Sequence, residues 1–242
     1  MVSSAAADHH DATGLSEQLT VNFTVYNYDR RGRGQSSDTA PYTVEREIED
    51  IEALIHDAGG EASLLGSSSG VVLSLDAASK LGACVTKLYL FEPPFIVNDS
   101  RKPVSAEYVQ HLNKLIESGL RSEAVEYYMT EAVGVPAEFL EYMKADPSWQ
   151  SMENMAHTLS FDGMIMGETQ SGKPLSTGRW NVSVPTLILT GENSGSLFND
   201  AAKALTELLP LAKHYTLPGL DHSAVIVAPA VVAQTIINED VK

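Results

Sequence analysis

Cysteine is almost missing from this chain. Cys84 is the only one in 242 residues, so an intrachain disulfide is excluded and a reducing compartment such as the cytoplasm fits. Positive charge is also scarce. Against 32 Asp and Glu stand 16 Lys and Arg, and the net charge of −16 argues against a polyanionic partner, because phosphates would be repelled. No uninterrupted apolar run approaches the roughly 20 residues that a membrane helix needs. Met1 to Thr20 lacks the basic start and apolar stretch of a secretory signal. Internal repeats and low-complexity tracts are missing as well. These absences predict a cytoplasmic protein with no nucleic-acid and no membrane partner.

What is present is an ordinary globular composition, 43% hydrophobic and 20% charged, in a length that suits one domain with an insertion. Phe23 to Tyr28 (FTVYNY) is β-branched and aromatic and predicts a strand. It runs into the glycine-punctuated loop Asp29-Arg30-Arg31-Gly32-Arg33-Gly34. Thr43 is placed to cap a helix whose Val44, Ile48, Ile51, Leu54 and Ile55 form one apolar stripe, with Gly59-Gly60 ending it. A short strand through Ser63-Leu64-Leu65 precedes a glycine–serine turn and a helix from about Val71 to Leu81. Val85 to Phe91 predicts another strand, stopped at Glu92-Pro93-Pro94 because proline cannot continue a ladder. From Ser105 to about Met166 the apolar spacing is helical throughout. Alternation then resumes with a strand at Pro185–Thr190, a helix at Asn199–Leu208, a strand at Lys213–Leu217 and a helix from about Pro229. Strands alternating with helices imply a mostly parallel α/β sheet flanked by helices. The helical block reads as a cap inserted above the sheet's carboxyl edge, where such folds bind ligands. The division is 1–98 and 181–242 for the core and 99–180 for the cap.

The turn Gly66-Ser67-Ser68-Ser69-Gly70 lies between a predicted strand and a predicted helix. A turn this tight strains its central residue and leaves no room for flanking side chains, hence the glycines. It lifts the Ser68 hydroxyl into the open, and the helix starting at Ser69 aims free N–H groups and its positive dipole end at any oxyanion formed there. A serine in that position needs a base, and histidine has the suitable pKa. Among seven histidines, His222 lies in Leu217-Pro218-Gly219-Leu220-Asp221-His222, the loop after the last predicted strand. His56, His111 and His157 fall in predicted helices and His214 in a strand.

Together, Tyr28 to Ser36, the Gly66–Gly70 turn, Phe91-Glu92-Pro93-Pro94-Phe95 and the Gly219-Leu220-Asp221-His222 loop resemble small bacterial α/β-hydrolase superfamily proteins over residues 20 to 242. The resemblance implies a triad in the order serine, acid, histidine. It also implies that Tyr28 to Ser36 is a structural turn, whose arginines pair with local carboxylates. The acid departs from the pattern. Gly191-Glu192-Asn193-Ser194 carries a serine where the family's aspartate is expected. Glu92, Glu192 and Asp200 are the candidate replacements, and Glu92 is preferred because a strand end followed by prolines is a rigid platform.

The resemblance further implies three strands ahead of Phe23, for which the sequence has no room. Met1 to Leu19 then matches the end of the loop after the third strand, plus a helix. An unfilled sheet position is an association hazard, so a homo-oligomer is expected. His9-His10-Asp11 reads as a mobile polar leader rather than a metal site.

The leading expectation is a serine hydrolase acting on a small ester, thioester, lactone or related acyl substrate. Ser68 is the nucleophile, His222 the base, Glu92 its orienting acid and the Ser69 N–H the oxyanion donor. Cap residues Tyr108, Tyr127, Tyr128, Tyr142, Met143, Trp149, Met152, Met155, Met164 and Met166 supply a pocket wall or the cap's own core. No metal or organic cofactor is called for. The alternative is a catalytically degenerate fold that binds a small apolar ligand, or a tailoring isomerase or cyclase that forms no acyl-enzyme.

Overall fold

A computed structural model describes residues 1–240 of the chain. Four parallel strands, β1 (Ala62–Ser67), β2 (Val85–Phe91), β3 (Thr186–Gly191) and β4 (Ala212–Leu217), lie side by side in sequence order. Their period-2 alternation splits the apolar residues between two faces. Leu64, Leu88, Leu90 and Ile188 point to one face, where they meet Ile48, Ile51 and Ile55 of α2 (Val44–Asp57), Val72 and Leu75 of α3 (Ser69–Leu81), and Leu205 of α9 (Ser196–Leu208). Leu65, Tyr89, Phe91, Leu187 and Leu189 point to the other. There they pack on Leu15 and Leu19 of α1 (Thr13–Leu19) and on Val232 and Ile236 of α11 (Pro229–Asp240). Parallel strands covered by helices on both faces form an α/β fold.

Between β2 and β3 the chain is helical: α4 (Tyr108–Glu117), α5 (Arg121–Tyr127), α6 (Leu140–Lys144), α7 (Pro147–Met155) and α8 (Leu159–Met166). These helices share a core of Tyr108, Leu112, Ala124, Val125, Trp149 and Leu159. Met166 packs instead with the sheet's core, while Tyr142 and Met164 are exposed. The last two are therefore part of neither a buried cap core nor an enclosed wall. The short α10 (Ala224–Val227) lies just after the β4 loop. Among the described residues, no helix is long and apolar enough to cross a membrane.

Two expectations fail at the amino-terminal side. Phe23 to Tyr28 belongs to no strand. Side-chain composition favours an extended chain, yet a strand exists only when its backbone groups find a ladder partner. Among the described residues, the position beside β1 is filled only at its carboxyl end. There the Val2 N–H donates to the Leu65 carbonyl at 2.7 Å and the Ser67 N–H to the Val2 carbonyl at 3.2 Å, a single parallel bridge to Gly66. Farther along, a cavity of about 370 Å³ separates β1 from the Phe23–Tyr28 segment, lined by Phe23, Val25, Tyr26, Leu54, Leu64 and Leu65 among others.

The leader is not a mobile tail either. His9–Ala12 forms a 3-10 turn capped by Asp8. The His9 N–H donates to Asp29 Oδ1 at 2.8 Å, and its ring Nδ1 lies 2.8 Å from the same oxygen. Asp8, His9 and His10 bring one candidate ligand atom each within 4.8 Å of one another. The Asp8 and His9 atoms are already engaged in the cap and in the Asp29 contact.

Candidate active site

The strand ends bring the sequence-predicted residues to one edge of the sheet. Ser68 follows β1, Glu92 follows β2, Gly191 ends β3, and His222 lies five residues past β4. Ser68 sits at φ 52°, ψ −121°, a conformation that costs a non-glycine residue on the order of 1–3 kcal/mol and persists only where its surroundings enforce it. The flanking glycines explain the enforcement. A Cβ on Gly66 would lie 2.5 Å from the Gly70 carbonyl oxygen, and one on Gly70 would lie 2.3 Å from the Val2 carbonyl oxygen. The turn is therefore wedged between its own helix and the amino-terminal segment. α3 begins immediately after Ser68, so the N–H groups of its first turn face the open end of the site.

Glu92 is fully buried and also has a positive φ, 55°. One carboxylate oxygen accepts from the Gly191 N–H at 2.6 Å and the other lies 3.1 Å from His222 Nδ1. Of the three candidate acids, Glu92 is the one brought to His222. Glu192 accepts from the Gly219 N–H at 2.8 Å, and Asp200 accepts from the Asn98 side chain at 2.9 Å. The imidazole of His222 is half-exposed and stacks on Phe198 of α9, with ring centroids 4.7 Å apart. The Ser68 hydroxyl has no hydrogen-bond partner among the described residues. Such contacts commonly tighten only when substrate binds. His214 is placed elsewhere, its Nε2 2.7 Å from the Thr190 hydroxyl, with burial holding its pKa below the ordinary histidine value.

Beside the serine lies a buried polar cluster. Arg30 makes a two-pronged ion pair with Glu47, both contacts at 2.8 Å, and reaches Asp162 of α8 at 2.8 Å. Arg33 pairs with Asp162 as well, and the Ser69 hydroxyl donates to Asp162 at 2.7 Å. Burial alone would raise the Asp162 carboxyl, but Arg33 and Arg30 outweigh it and hold the pKa below the usual value. Two cations and two anions balance, which allows the cluster to stay buried. The arginines therefore do pair with local carboxylates, as the resemblance implied, and Arg31 does the same with Asp50 at 2.7 Å.

Phe198 and Asp162 were not legible as site residues. Asp162 lies 93 residues from Ser69 in an unremarkable helical stretch. Its only sequence signal is that it is the one charged residue on the Leu159–Met166 helix.

A parallel sheet with a strained serine turn after one strand and a carboxylate–histidine pair at its carboxyl edge defines an α/β-hydrolase architecture. Residues 3–235 match the alpha/beta hydrolase family, and the chain belongs to it. It superposes on an alpha/beta hydrolase from Sphaerobacter thermophilus with a TM-score of 0.89 and 42% identity, over 98% of this chain and 90% of that one. It is 27% identical over 230 residues to the 2-(acetamidomethylene)succinate hydrolase of Mesorhizobium japonicum, covering 93% of this chain and 81% of the relative. It is 23% identical over 218 residues to a proline iminopeptidase of Pestalotiopsis fici, covering 85% and 77%. The chain is thus a hydrolase by family.

Proposed function

We propose that this chain is a cytoplasmic serine hydrolase of small acyl compounds, using Ser68, His222 and Glu92. The observation that carries the reading is the 3.1 Å contact of buried Glu92 with His222 Nδ1, at the same sheet edge as the strained Ser68. A carboxylate at Nδ1 keeps the proton on that nitrogen, which leaves Nε2 free to accept the serine proton. Ser68 Oγ then bonds to the acyl carbon while its proton moves to His222. The carbonyl electron pair moves onto oxygen and is held by the Ser69 N–H and the start of α3. Collapse of the tetrahedral species expels the leaving group, which takes the proton from His222. Water, deprotonated by the same imidazole, releases the acid and restores the serine.

The names of two relatives, a 2-(acetamidomethylene)succinate hydrolase and a proline iminopeptidase, support including amides among the proposed acyl substrates. A fluorophosphonate probe tests the reading. Wild type is expected to form a covalent adduct that Ser68→Ala does not. An unlabelled wild type, or equal labelling of the variant, would overturn it in favour of a binding fold or an isomerase-like role without acyl-enzyme.

A further inference from the structure

The buried cluster around Asp162 is larger than a stapled turn requires, and its contacts converge on the two segments that flank the serine. On one side Asp162 accepts the Ser69 hydroxyl at 2.7 Å. Ser69 is the residue whose N–H would meet the oxyanion, and it is buried, so its hydroxyl has no water to replace that partner. On the other side the two arginines bound to Asp162 reach the amino-terminal segment. Arg30 Nη1 donates to the Ser3 carbonyl at 3.2 Å, while Arg33 Nη1 donates to the Ser4 carbonyl and, at 3.3 Å, to the Ala7 carbonyl. That segment approaches the turn closely enough that a Cβ on Gly70 would lie 2.8 Å from the Ser3 carbonyl oxygen. It also contains Ala6 at φ 52°, a non-glycine residue in the left-handed region. Its carbonyls point to the arginines, so the peptide units that follow them carry N–H groups directed the other way, as a trans peptide requires.

We propose that Asp162 is a positioning residue that registers the two walls of the oxyanion pocket, the Ser69 backbone and the Ser3–Ala7 segment, against each other and ties both to α8. The physics is that of preorganisation. An oxyanion donor stabilises the transition state only when it is held in place before the reaction, and a displacement near 1 Å costs on the order of 100-fold in rate. One carboxylate that receives the Ser69 hydroxyl directly, and binds both arginines that hold the Ser3–Ala7 carbonyls, fixes the separation of the two walls in a way that separate contacts would not. The Ser4 and Ala5 N–H groups, across the peptide from the held Ser3 and Ser4 carbonyls, have no hydrogen-bond partner among the described residues and can meet a ligand's oxygen, whereas the Asp8 N–H that follows Ala7 is taken by Asp11. The position of α8, the last helix of the block before β3, then reaches the reacting centre through a single side chain.

The proposal rests on the serine-hydrolase reading, and one experiment separates the two. The concentration dependence of fluorophosphonate labelling gives an inactivation rate, an apparent binding constant and the fraction of protein labelled. Ser69→Ala keeps the backbone N–H and removes only the hydroxyl that reaches Asp162. It is expected to lower the inactivation rate about tenfold or more, with the binding constant and labelled fraction unchanged. A folding defect would lower the labelled fraction instead. Asp162→Asn is expected to lower the rate at least as much, and the double variant to be no slower than Asp162→Asn alone, because both remove one link. If Asp162→Asn does not fold, Ser69→Ala decides alone. Wild-type labelling with an undiminished rate in Ser69→Ala overturns the positioning role and leaves the hydrolase reading intact. A wild type that is not labelled at all overturns both.

Discussion

Glu92 illustrates how one side chain can serve two ends of a site. Its carboxylate closes the β2–β3 junction by accepting the Gly191 N–H and meets His222 with its other oxygen, while the residue itself is wholly buried. Replacing it with glutamine keeps the shape and removes the charge. The amide can present a donor to Nδ1, which would favour the tautomer in which Nε2 carries the proton and cannot accept one. Glu92→Gln is therefore expected to lower kcat for a p-nitrophenyl ester by about 10³–10⁴, with far-UV circular dichroism unchanged. A rate within a few-fold of wild type would remove Glu92 from the triad. Which carboxylate meets His222 was readable from the chain only as a preference. Glu92 and Glu192 follow strand ends while Asp200 falls in the helix after β3, and which of them meets the histidine loop depends on which strands are neighbours. With β2 beside β3, and β3 beside β4, Glu92 reaches across β3 to the loop after β4.

At the level of elements, the Asp29–Ser36 loop acts as a buried clamp rather than a surface turn. Arg30 is fully buried and joins α2 through Glu47 to α8 through Asp162. Arg30→Leu would leave two carboxylates with half their compensation. The variant is expected to lose about 3–5 kcal/mol of stability in urea unfolding, the usual cost of removing one partner of a buried pair. A loss below 1 kcal/mol would show that the cluster relaxes or hydrates. The strand and helix periodicities located most elements to within a few residues. Val85–Phe91 was bounded as found, and the turn-to-helix transition at Ser68–Ser69 followed from its glycines. Phe23–Tyr28 failed because strand formation is a property of a pair, and propensity describes only one member.

For the whole molecule, the sheet is asymmetric. β4 and β1 are its edges, and β1 adjoins an apolar cavity of about 370 Å³ rather than a hydrogen-bonded neighbour along most of its length. Unpaired strand edges next to apolar surface invite pairing with another chain. We propose that the protein self-associates through this edge. Sedimentation velocity at micromolar concentration is expected to show a dimer or larger species, and more of it at high salt, where the net charge of −16 is screened. A monomer under both conditions would rule the association out.

The sequence by itself determined the alternation of strands and helices, the strained serine turn and the position of the histidine loop. Each is encoded within a few consecutive residues by periodicity, glycine sterics or proline. Only the tertiary structure decided that Glu92 meets His222, that Asp162 meets Ser69 and the two arginines, and that Phe23–Tyr28 stays unpaired. Those outcomes depend on strand order and on contacts spanning about a hundred residues or more. Local spacing carries no record of them, because the chain's neighbours in space are chosen by how the whole core packs.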